Sequence, residues 1–81
     1  MIYLNKTQKE LFELIKSNDN FTIQELIKIF EGRETAIRIH ANIDALEDCG
    51  IVENVWDKRD SMWIRVFKIR ECAKGLNISC D

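Results

Sequence analysis

Three cysteines and one histidine are the side chains of this 81-residue chain best suited to metal binding or nucleophilic chemistry. Cys49, Cys72 and Cys80 show no C-x-x-C spacing, and His40 lies nine residues before Cys49. Because a structural zinc site needs four nitrogen or sulfur ligands at characteristic spacings, we expect no metal site. Cys49 and Cys72 are predicted to be small buried hydrophobic residues. Cys80 is either a free thiol or half of an intersubunit disulfide.

Sequence patterns that mark enzymes are missing as well. The chain has no phosphate-binding or dinucleotide-binding glycine pattern, and no nucleophile constellation accompanies its lone histidine. A chain of this length also leaves little room for a substrate cavity beside its core. We therefore expect a protein that is not an enzyme and needs no cofactor.

Basic side chains, which suit phosphate binding, are unevenly distributed. The net charge is −2, from 12 basic and 14 acidic residues, which argues against a protein that is basic everywhere. Residues 57–70 carry five basic and two acidic side chains, a net charge of +3, whereas residues 44–53 carry four acidic side chains and no basic one. The balanced total therefore hides a basic segment and an acidic segment.

The composition predicts one soluble domain over residues 1–81. Hydrophobic residues make up 46% of the chain and charged residues 32%, which is ordinary for a globular domain. No apolar run approaches the ~20 residues of a membrane span, and residues 1–6 lack the pattern of a signal peptide. We expect a cytoplasmic protein, or one of the host cytoplasm if a virus encodes it, with no membrane partner.

Two capping boxes predict the starts of the first two helices. A threonine followed three residues later by glutamate occurs at Thr7–Glu10 and again at Thr22–Glu25. Apolar residues at helical spacing follow each box. Gly32 is placed to end the second helix, because glycine readily adopts the left-handed conformation found at helix ends.

A third helix is predicted from about residues 33–35 to Gly50, only about three residues after the second helix. Its buried face is expected to hold Ala36, Ile39, Ile43 and Leu46. Its opposite face is expected to hold Thr35, Arg38, His40, Ala41 and Asn42. A second apolar stripe, at Ile37, Ala41 and Ala45, is either a partner surface or a set of isolated exposed residues.

After Gly50 the sequence takes on the character of strands. An apolar stretch at residues 51–56, a polar turn at 57–61 and a β-branched and aromatic segment at 62–69 predict a hairpin. On the second strand, one face carries Trp63, Arg65, Phe67 and Ile69. The other carries Met62, Ile64, Val66 and Lys68, and alternation alone does not identify the inward face. Residues 71–81 are expected to hold a short helical turn or a strand.

This order of elements resembles the winged helix-turn-helix family of transcriptional regulators over about residues 6–75. The strongest motif, from Ile39 to Val52, is similar to the end of the family's recognition helix: apolar residues precede an acidic pair, a small residue, a glycine and two aliphatic residues. Residues 65–71, with Gly75 beyond them, are similar to the last wing strand. Arg70 and Cys49 depart from the MarR-like branch, where threonine and alanine are common.

The resemblance implies an α+β fold, with the helix-turn-helix at about residues 22–50 and the wing at about 51–70. It also implies a small archaeal, bacterial or viral regulator that binds double-stranded DNA, with the third helix in the major groove and the wing on an adjacent groove or backbone. The DNA-binding residues would be Arg33, Thr35, Arg38, Asn42, Lys58 and Arg59. Arginine can read guanine, asparagine can read adenine, and Lys58 and Arg59 would lie at the hairpin tip.

A homodimer is the oligomeric state that the resemblance implies, because dimers of this module read two half-sites. The first helix, the segment Ile2–Leu4 or the tail around Leu76 and Ile78 would form the dimer contact. The chain lacks the long extra helices of larger family members, so no small-molecule effector is expected. A winged-helix protein–protein interaction module without DNA binding is the alternative.

Overall fold

The structure, a computed structural model, describes residues 2–18, 20–75 and 78–80. It contains three helices followed by an antiparallel two-stranded hairpin, which confirms the predicted α+β arrangement at this level. In chain order the elements are β1 (Ile2–Leu4), α1 (Lys6–Ser17), α2 (Ile23–Ile29), α3 (Ala36–Asp48), β2 (Val52–Arg59), β3 (Met62–Ile69), a 3₁₀ turn (Glu71–Ala73) and β4 (Ile78–Cys80).

Helix α1 begins earlier than its predicted capping box. Asn5 is the N-cap, and its side chain accepts a hydrogen bond from the Gln8 amide while the Gln8 side chain accepts one from the Asn5 amide. The prediction that Thr7 and Glu10 cap this helix is therefore wrong. Thr7 lies inside the helix and donates its hydroxyl proton to Glu34, 2.7 Å away, so it joins α1 to the segment before α3.

Helices α2 and α3 start where the sequence predicts. Thr22 caps α2 in a reciprocal box with Glu25, and Thr35 caps α3 by accepting from the Arg38 amide. After α2 the chain turns through Gly32, with φ of +86°, and α3 is followed by Gly50, with φ of +75°. Both glycines adopt the left-handed conformation that side-chain-bearing residues rarely take.

The core lies between the three helices and the base of the hairpin. Its α3 contribution differs from the prediction, because Ala36 is exposed and Asn42 is buried. Asn42 lies three residues after Ile39 and four before Leu46, so it falls on the same helical stripe as these core residues. The core consists of Leu4, Leu11, Phe12, Ile15, Leu26, Phe30, Ile39, Ile43, Leu46, Ile51, Val52, Phe67, Ile69 and Ala73.

The hairpin is longer and tighter than predicted. Its strands pair from Val52–Ile69 to Arg59–Met62, so the turn consists of Asp60 and Ser61 alone rather than residues 57–61. Both turn residues have positive φ, 49° and 64°, as a two-residue turn that follows the strand twist requires. Phe21 extends the sheet on its other side, because its carbonyl accepts from the Phe67 amide at 2.9 Å.

A second, parallel sheet joins the two ends of the described chain. Strand β1 pairs with β4, with Ile2 opposite Ile78 and Leu4 opposite Cys80. The sequence predicts neither β1 nor this pairing, but it does anticipate a short element after the hairpin, and the 3₁₀ turn and β4 are that element. Within the described residues, none of the helices has the length and apolar character needed to cross a membrane.

Candidate nucleic-acid interface

The segment before α3 and the first turns of that helix bring three of the predicted DNA-binding residues together. Arg33, Thr35 and Arg38 line one shallow recess with Gly32 and Glu34. The Thr35 hydroxyl is occupied as the α3 cap, because it accepts from the Arg38 amide at 3.2 Å. The free amide groups at the start of a helix carry a partial positive charge, so this recess suits an anion such as a phosphate.

Both arginines of this recess are exposed and hold carboxylates. The Arg33 Nη1 atom lies 3.1 Å from Glu10 Oε2, and the guanidinium stacks on the Phe30 ring at 4.8 Å. The Arg38 Nε atom lies 2.8 Å from Glu34 Oε2. Exposed ion pairs of this kind contribute little to stability, because water and the loss of side-chain freedom offset most of the attraction, so a phosphate can replace the carboxylate at low cost.

Glu34 is the most connected carboxylate at this end of α3. The Thr7 hydroxyl, and then the charge of Arg38, hold the pKa of Glu34 below its ordinary value. Its carboxylate therefore stays ionised through the neutral range and continues to compete with any anion for Arg38.

Asn42 does not belong to an exposed binding surface. Its side chain is only 9% exposed, its Oδ1 accepts from Asn5 Nδ2 at 3.1 Å and its Nδ2 donates to the Arg38 carbonyl at 2.8 Å. The prediction that Asn42 lies on the outer face of α3 is wrong, because it falls on the core stripe and both ends of its amide have partners. Its role here is to join α3 to the residue that caps α1.

Lys58 and Arg59 lie in β2 rather than in the turn, and they point to opposite sides of the hairpin. Arg59 is half-buried and its guanidinium contacts Asp57 at 3.2 Å, Glu25 at 3.5 Å and the Asn20 carbonyl. These contacts fasten the hairpin to the start of α2. The amide of Thr22, with help from Arg59, also holds the pKa of Glu25 below its ordinary value. Lys58 is exposed on the other side.

The outer part of that other side carries four exposed side chains, which we call the tryptophan face. Trp56 pairs with Arg65 and Lys58 pairs with Trp63, so all four project from the same side of the two strands. The Arg65 guanidinium lies 4.8 Å from the centre of the Trp56 ring. Nearer the base of the hairpin, the same side inserts Val52, Phe67 and Ile69 into the core.

One cleft joins the tryptophan face to α3. Its walls include His40, Asp44 and Glu47 from the helix and Asn54 and Arg65 from the hairpin. Burial, followed by the charges of Asp44 and Asp48, raises the pKa of Glu47, and the positive charge of Arg65 opposes this rise. Among the residues that the structure describes, none donates a hydrogen bond to the buried Asn54 Oδ1 atom, which faces this region.

Sequence reasoning did not select Arg65 as a binding residue, although it counted Arg65 among the basic side chains of residues 57–70. Assigning the turn to residues 57–61 left the strand register open. Once the turn is limited to two residues, alternation places Arg65 beside Trp56 and on the same side as Lys58.

Other predicted chemistry falls outside this surface. Cys49 and Cys72 are exposed, so the prediction that both are buried is wrong. Cys49 follows the end of α3. In the 3₁₀ turn, the residue that packs in the core is Ala73 and not Cys72. The side chain of Cys80 lies outside the described residues, as do Leu76 and the side chain of Ile78. Over the described ranges, the His, Cys, Asp and Glu side chains form no group of three or more that could hold a metal ion.

Comparisons with protein-family models, with curated proteins and with solved structures gave no match. The function is therefore argued from the geometry and charge of the surface formed by α3 and the hairpin.

Proposed function

We propose that this chain is a winged helix-turn-helix protein that binds double-stranded DNA and acts as a small, sequence-specific transcription regulator. The observation that supports the proposal is the pair of exposed arginines, Arg33 and Arg38, in the recess at the start of α3, together with the cations that the tryptophan face of the hairpin presents. Arg65 borders a cleft whose other wall is α3, so we expect a duplex held at the start of α3 to reach Arg65 and Lys58 on the hairpin as well. Phosphate contacts from such cations supply most of the affinity of DNA-binding proteins.

The first half of α3 is the part that would enter the major groove. Arg33 and Arg38 supply guanidinium groups that can bind guanine or phosphate, and the amide groups around Thr35 suit a phosphate. Ile37 and Ala41 are exposed on this helix and would contact thymine methyl groups.

The acidic second half of α3 would stay outside the groove. It carries Asp44, Glu47 and Asp48, whose charges repel phosphate. Recognition helices commonly read bases with their first turns, so this separation of charge along α3 is compatible with DNA binding.

The hairpin would hold the DNA backbone beside the helix. Lys58 and Arg65 replace the predicted pair of Lys58 and Arg59, because the guanidinium of Arg59 is held by the hairpin and α2. Asn42 is withdrawn from the binding set for the reason given above. The proposed DNA-binding residues are Arg33, Thr35, Arg38, Lys58 and Arg65.

A homodimer belongs to the same proposal, since two copies would double the contacts with DNA. Leu4 is buried in the chain's own core, so within the N-terminal segment Tyr3, which is 68% exposed, is the candidate contact. A groove between α1 and the end of α2, which includes Leu14 and Ile29, is a second candidate. We further propose that the regulator is cytoplasmic, is not an enzyme and responds to no small-molecule effector.

Fluorescence anisotropy of a labelled 24-base-pair duplex pool, measured at several salt concentrations, tests the proposal. Four phosphate contacts per protomer predict that the logarithm of the binding constant falls with the logarithm of salt concentration with a slope of about −3 to −4. Arg38→Ala with Lys58→Ala should weaken binding and reduce the slope by about 2. No binding at the lowest salt concentration, or an unchanged slope in the double variant, would contradict the proposal.

A second candidate function, a protein–protein interaction module, is favoured by one observation. Ile37 is 81% exposed on α3, and Ala36 and Ala41 beside it are exposed as well. An apolar patch on this helix suits a protein partner as well as a thymine-rich groove. If the duplex pool does not bind and Ile37→Asp abolishes capture of a protein partner that the parent chain retains, this second function replaces the first.

A further inference from the structure

Two large aromatic side chains are exposed side by side on the hairpin. Trp56 is 59% exposed and Trp63 is 63% exposed, and they belong to neighbouring cross-strand pairs on one side of the sheet. An open cleft lies between them, and among the described residues its lining consists of the two tryptophans. Indole rings are costly to leave in water, so an exposed pair around an open cleft indicates a ligand surface.

The charges around the two tryptophans are positive. Lys58 is directly opposite Trp63, and Arg65 is directly opposite Trp56. None of the side chains on this side of the hairpin is acidic, because the acidic residues of β2, Glu53 and Asp57, project from the other side. Across the cleft to α3, Arg65 faces Glu47, and the positive charge of Arg65 opposes the rise in the pKa of that carboxyl group.

Flat aromatic rings flanked by cations fit one class of ligand especially well. Nucleobases stack on indole rings, and each base brings a phosphate that lysine or arginine can bind. Base-paired DNA exposes the edges of its bases in the grooves, but the faces are covered by the neighbouring base pairs. The indole rings can therefore stack fully only on a base that is unpaired.

We propose that the tryptophan face binds single-stranded DNA, with an unpaired base held between Trp56 and Trp63 and its phosphates held by Lys58 and Arg65. This inference rests on the proposed function and deepens it. The preferred DNA would contain a duplex segment for α3 and an adjacent single-stranded segment for the hairpin.

A second copy of this chain fits the same face less well. In a symmetric dimer through this surface, Lys58 and Arg65 of each protomer would face the same cations of the other. Like charges brought together at an interface oppose association. The tryptophan face is therefore assigned to a polyanion rather than to self-association.

The intrinsic tryptophan fluorescence of the protein reports directly on ligand binding at this site. The chain contains two tryptophans, and both belong to the tryptophan face. Titration with a twelve-residue thymidine oligonucleotide at low salt should quench the emission in a saturable way, and added salt should weaken the binding. Quenching that does not saturate, or emission that depends on protein concentration and not on oligonucleotide, would overturn the proposal.

Variants separate stacking from general charge attraction. Trp63→Ala should weaken oligonucleotide binding roughly 5- to 100-fold, and Trp63→Phe should restore most of the affinity because a flat ring remains. The matched control is Met62→Ala, because Met62 is 66% exposed on the same strand and projects from the opposite side. If Met62→Ala weakens binding as much as Trp63→Ala, the assignment to the tryptophan face is wrong.

A second set of ligands distinguishes this proposal from the proposed function. A blunt duplex and the same duplex with a twelve-thymidine 3′ extension are compared by anisotropy, with Trp63→Ala and Arg38→Ala. The proposal predicts tighter binding of the extended duplex, with the gain lost in Trp63→Ala and kept in Arg38→Ala. Binding of both duplexes with equal affinity overturns this inference alone. Binding of the oligonucleotide together with no binding of the blunt duplex overturns the proposed function and leaves the hairpin site standing.

A proline-rich peptide provides the remaining test, because aromatic grooves also bind such segments. The expected result is no quenching by a ten-residue proline peptide under the conditions in which the oligonucleotide saturates. Tighter binding of the peptide than of the oligonucleotide would assign the face to a protein ligand and overturn the proposal.

Discussion

The first turns of α3 and the outer hairpin both present two cations, but they present them differently. At the start of α3, Arg33 and Arg38 each hold a carboxylate, at 3.1 Å and 2.8 Å. On the hairpin, Lys58 and Arg65 take part in none of the ion pairs found among the described residues. At the helix, a phosphate must displace a glutamate. At the hairpin, it meets cations that give up only bound water and, in the case of Arg65, the contact with the Trp56 ring.

Equal numbers of positive charges therefore do not imply equal contributions to binding. An exposed ion pair is weak. When a phosphate replaces its carboxylate, the gain is only the difference in free energy between the two ion pairs. A lysine that has no ion pair gains the full free energy of its new contact with the phosphate. The counterions of that phosphate are released at the same time. We expect the hairpin to supply more of the affinity, and the helix to supply more of the discrimination among sequences.

Removing the hairpin cations should produce the largest change. Lys58→Ala with Arg65→Ala should weaken binding of a duplex roughly 10- to 30-fold and reduce the salt slope by about 2, because two phosphate contacts are lost. Lys16→Ala with Lys74→Ala removes the same charge from other parts of the chain and should change affinity much less. Anisotropy titrations across salt concentrations measure both. Equal losses in the two double variants would show that only the net charge matters.

Asn42→Ala tests whether this residue supports the fold rather than the DNA contact. Loss of its bonds to Asn5 and to the Arg38 carbonyl should destabilise the chain by about 1–2 kcal/mol and lower Tm by roughly 5–10 °C. Duplex affinity at a temperature where the variant is folded should stay within about twofold of the parent. A tenfold loss of affinity in the folded variant would return Asn42 to the binding surface. A double-mutant cycle with Asn5→Ala isolates the energy of the pair.

The starts of α2 and α3 were predictable because caps are local. The caps at Thr22, with Glu25, and at Thr35 lie within one turn of the helices that they start. The start of α1 was predicted wrongly, because the capping-box pattern also occurs at Thr7 and Glu10 whereas the structure caps this helix at Asn5 with Gln8. The Thr7 hydroxyl instead donates to Glu34, 27 positions away, a contact that no local pattern indicates.

The candidate site was harder to predict than the fold. The spacing of Asn42 from the core residues of α3 indicates that it is buried. Its amide side chain, however, favours the prediction of an exposed residue that contacts bases. The placement of the hairpin cations on the two sides depends on a two-residue turn at Asp60 and Ser61, and Ser61 stands where such a turn usually has glycine. The pairing of β1 with β4 joins three-residue strands from opposite ends of the sequence and leaves no local signal.

Removing the carboxylates that pair with Arg33 and Arg38 should make the start of α3 bind phosphate more as the hairpin does. Glu34→Gln with Glu10→Gln removes the carboxylates that hold Arg38 and Arg33, and should strengthen duplex binding roughly 2- to 5-fold at low salt. Glu31→Gln, in the exposed turn between α2 and α3, is the control for the change in net charge. If the double variant gains no more affinity per charge than the control, the carboxylates do not compete with DNA.

The smallest effect is expected in the acidic half of α3. Burial and the neighbouring aspartates raise the pKa of Glu47, so its ionised form is disfavoured in the folded state. Protonated Glu47 therefore contributes to the stability of the folded chain. This contribution is complete below the ordinary pKa of 4.5 and is lost as the pH rises through the higher pKa of the folded state. At pH 7, Glu47→Gln should therefore raise stability by about 0.2–0.5 kcal/mol, the scale of one like-charge pair on a helix. Thermal unfolding at pH 7 and pH 3.5 checks this, because the gain should disappear at the lower pH.

The surface that contacts DNA can be located by mapping the backbone amide shifts in ¹⁵N NMR spectra as a duplex is added at low salt. A shared surface of α3 and hairpin predicts the largest shifts at residues 33–41 and 56–65, with smaller ones at residues 24–29 and 71–75. Shifts that spare both of the first two segments, or no shifts at millimolar duplex, would contradict the claim that this surface binds DNA.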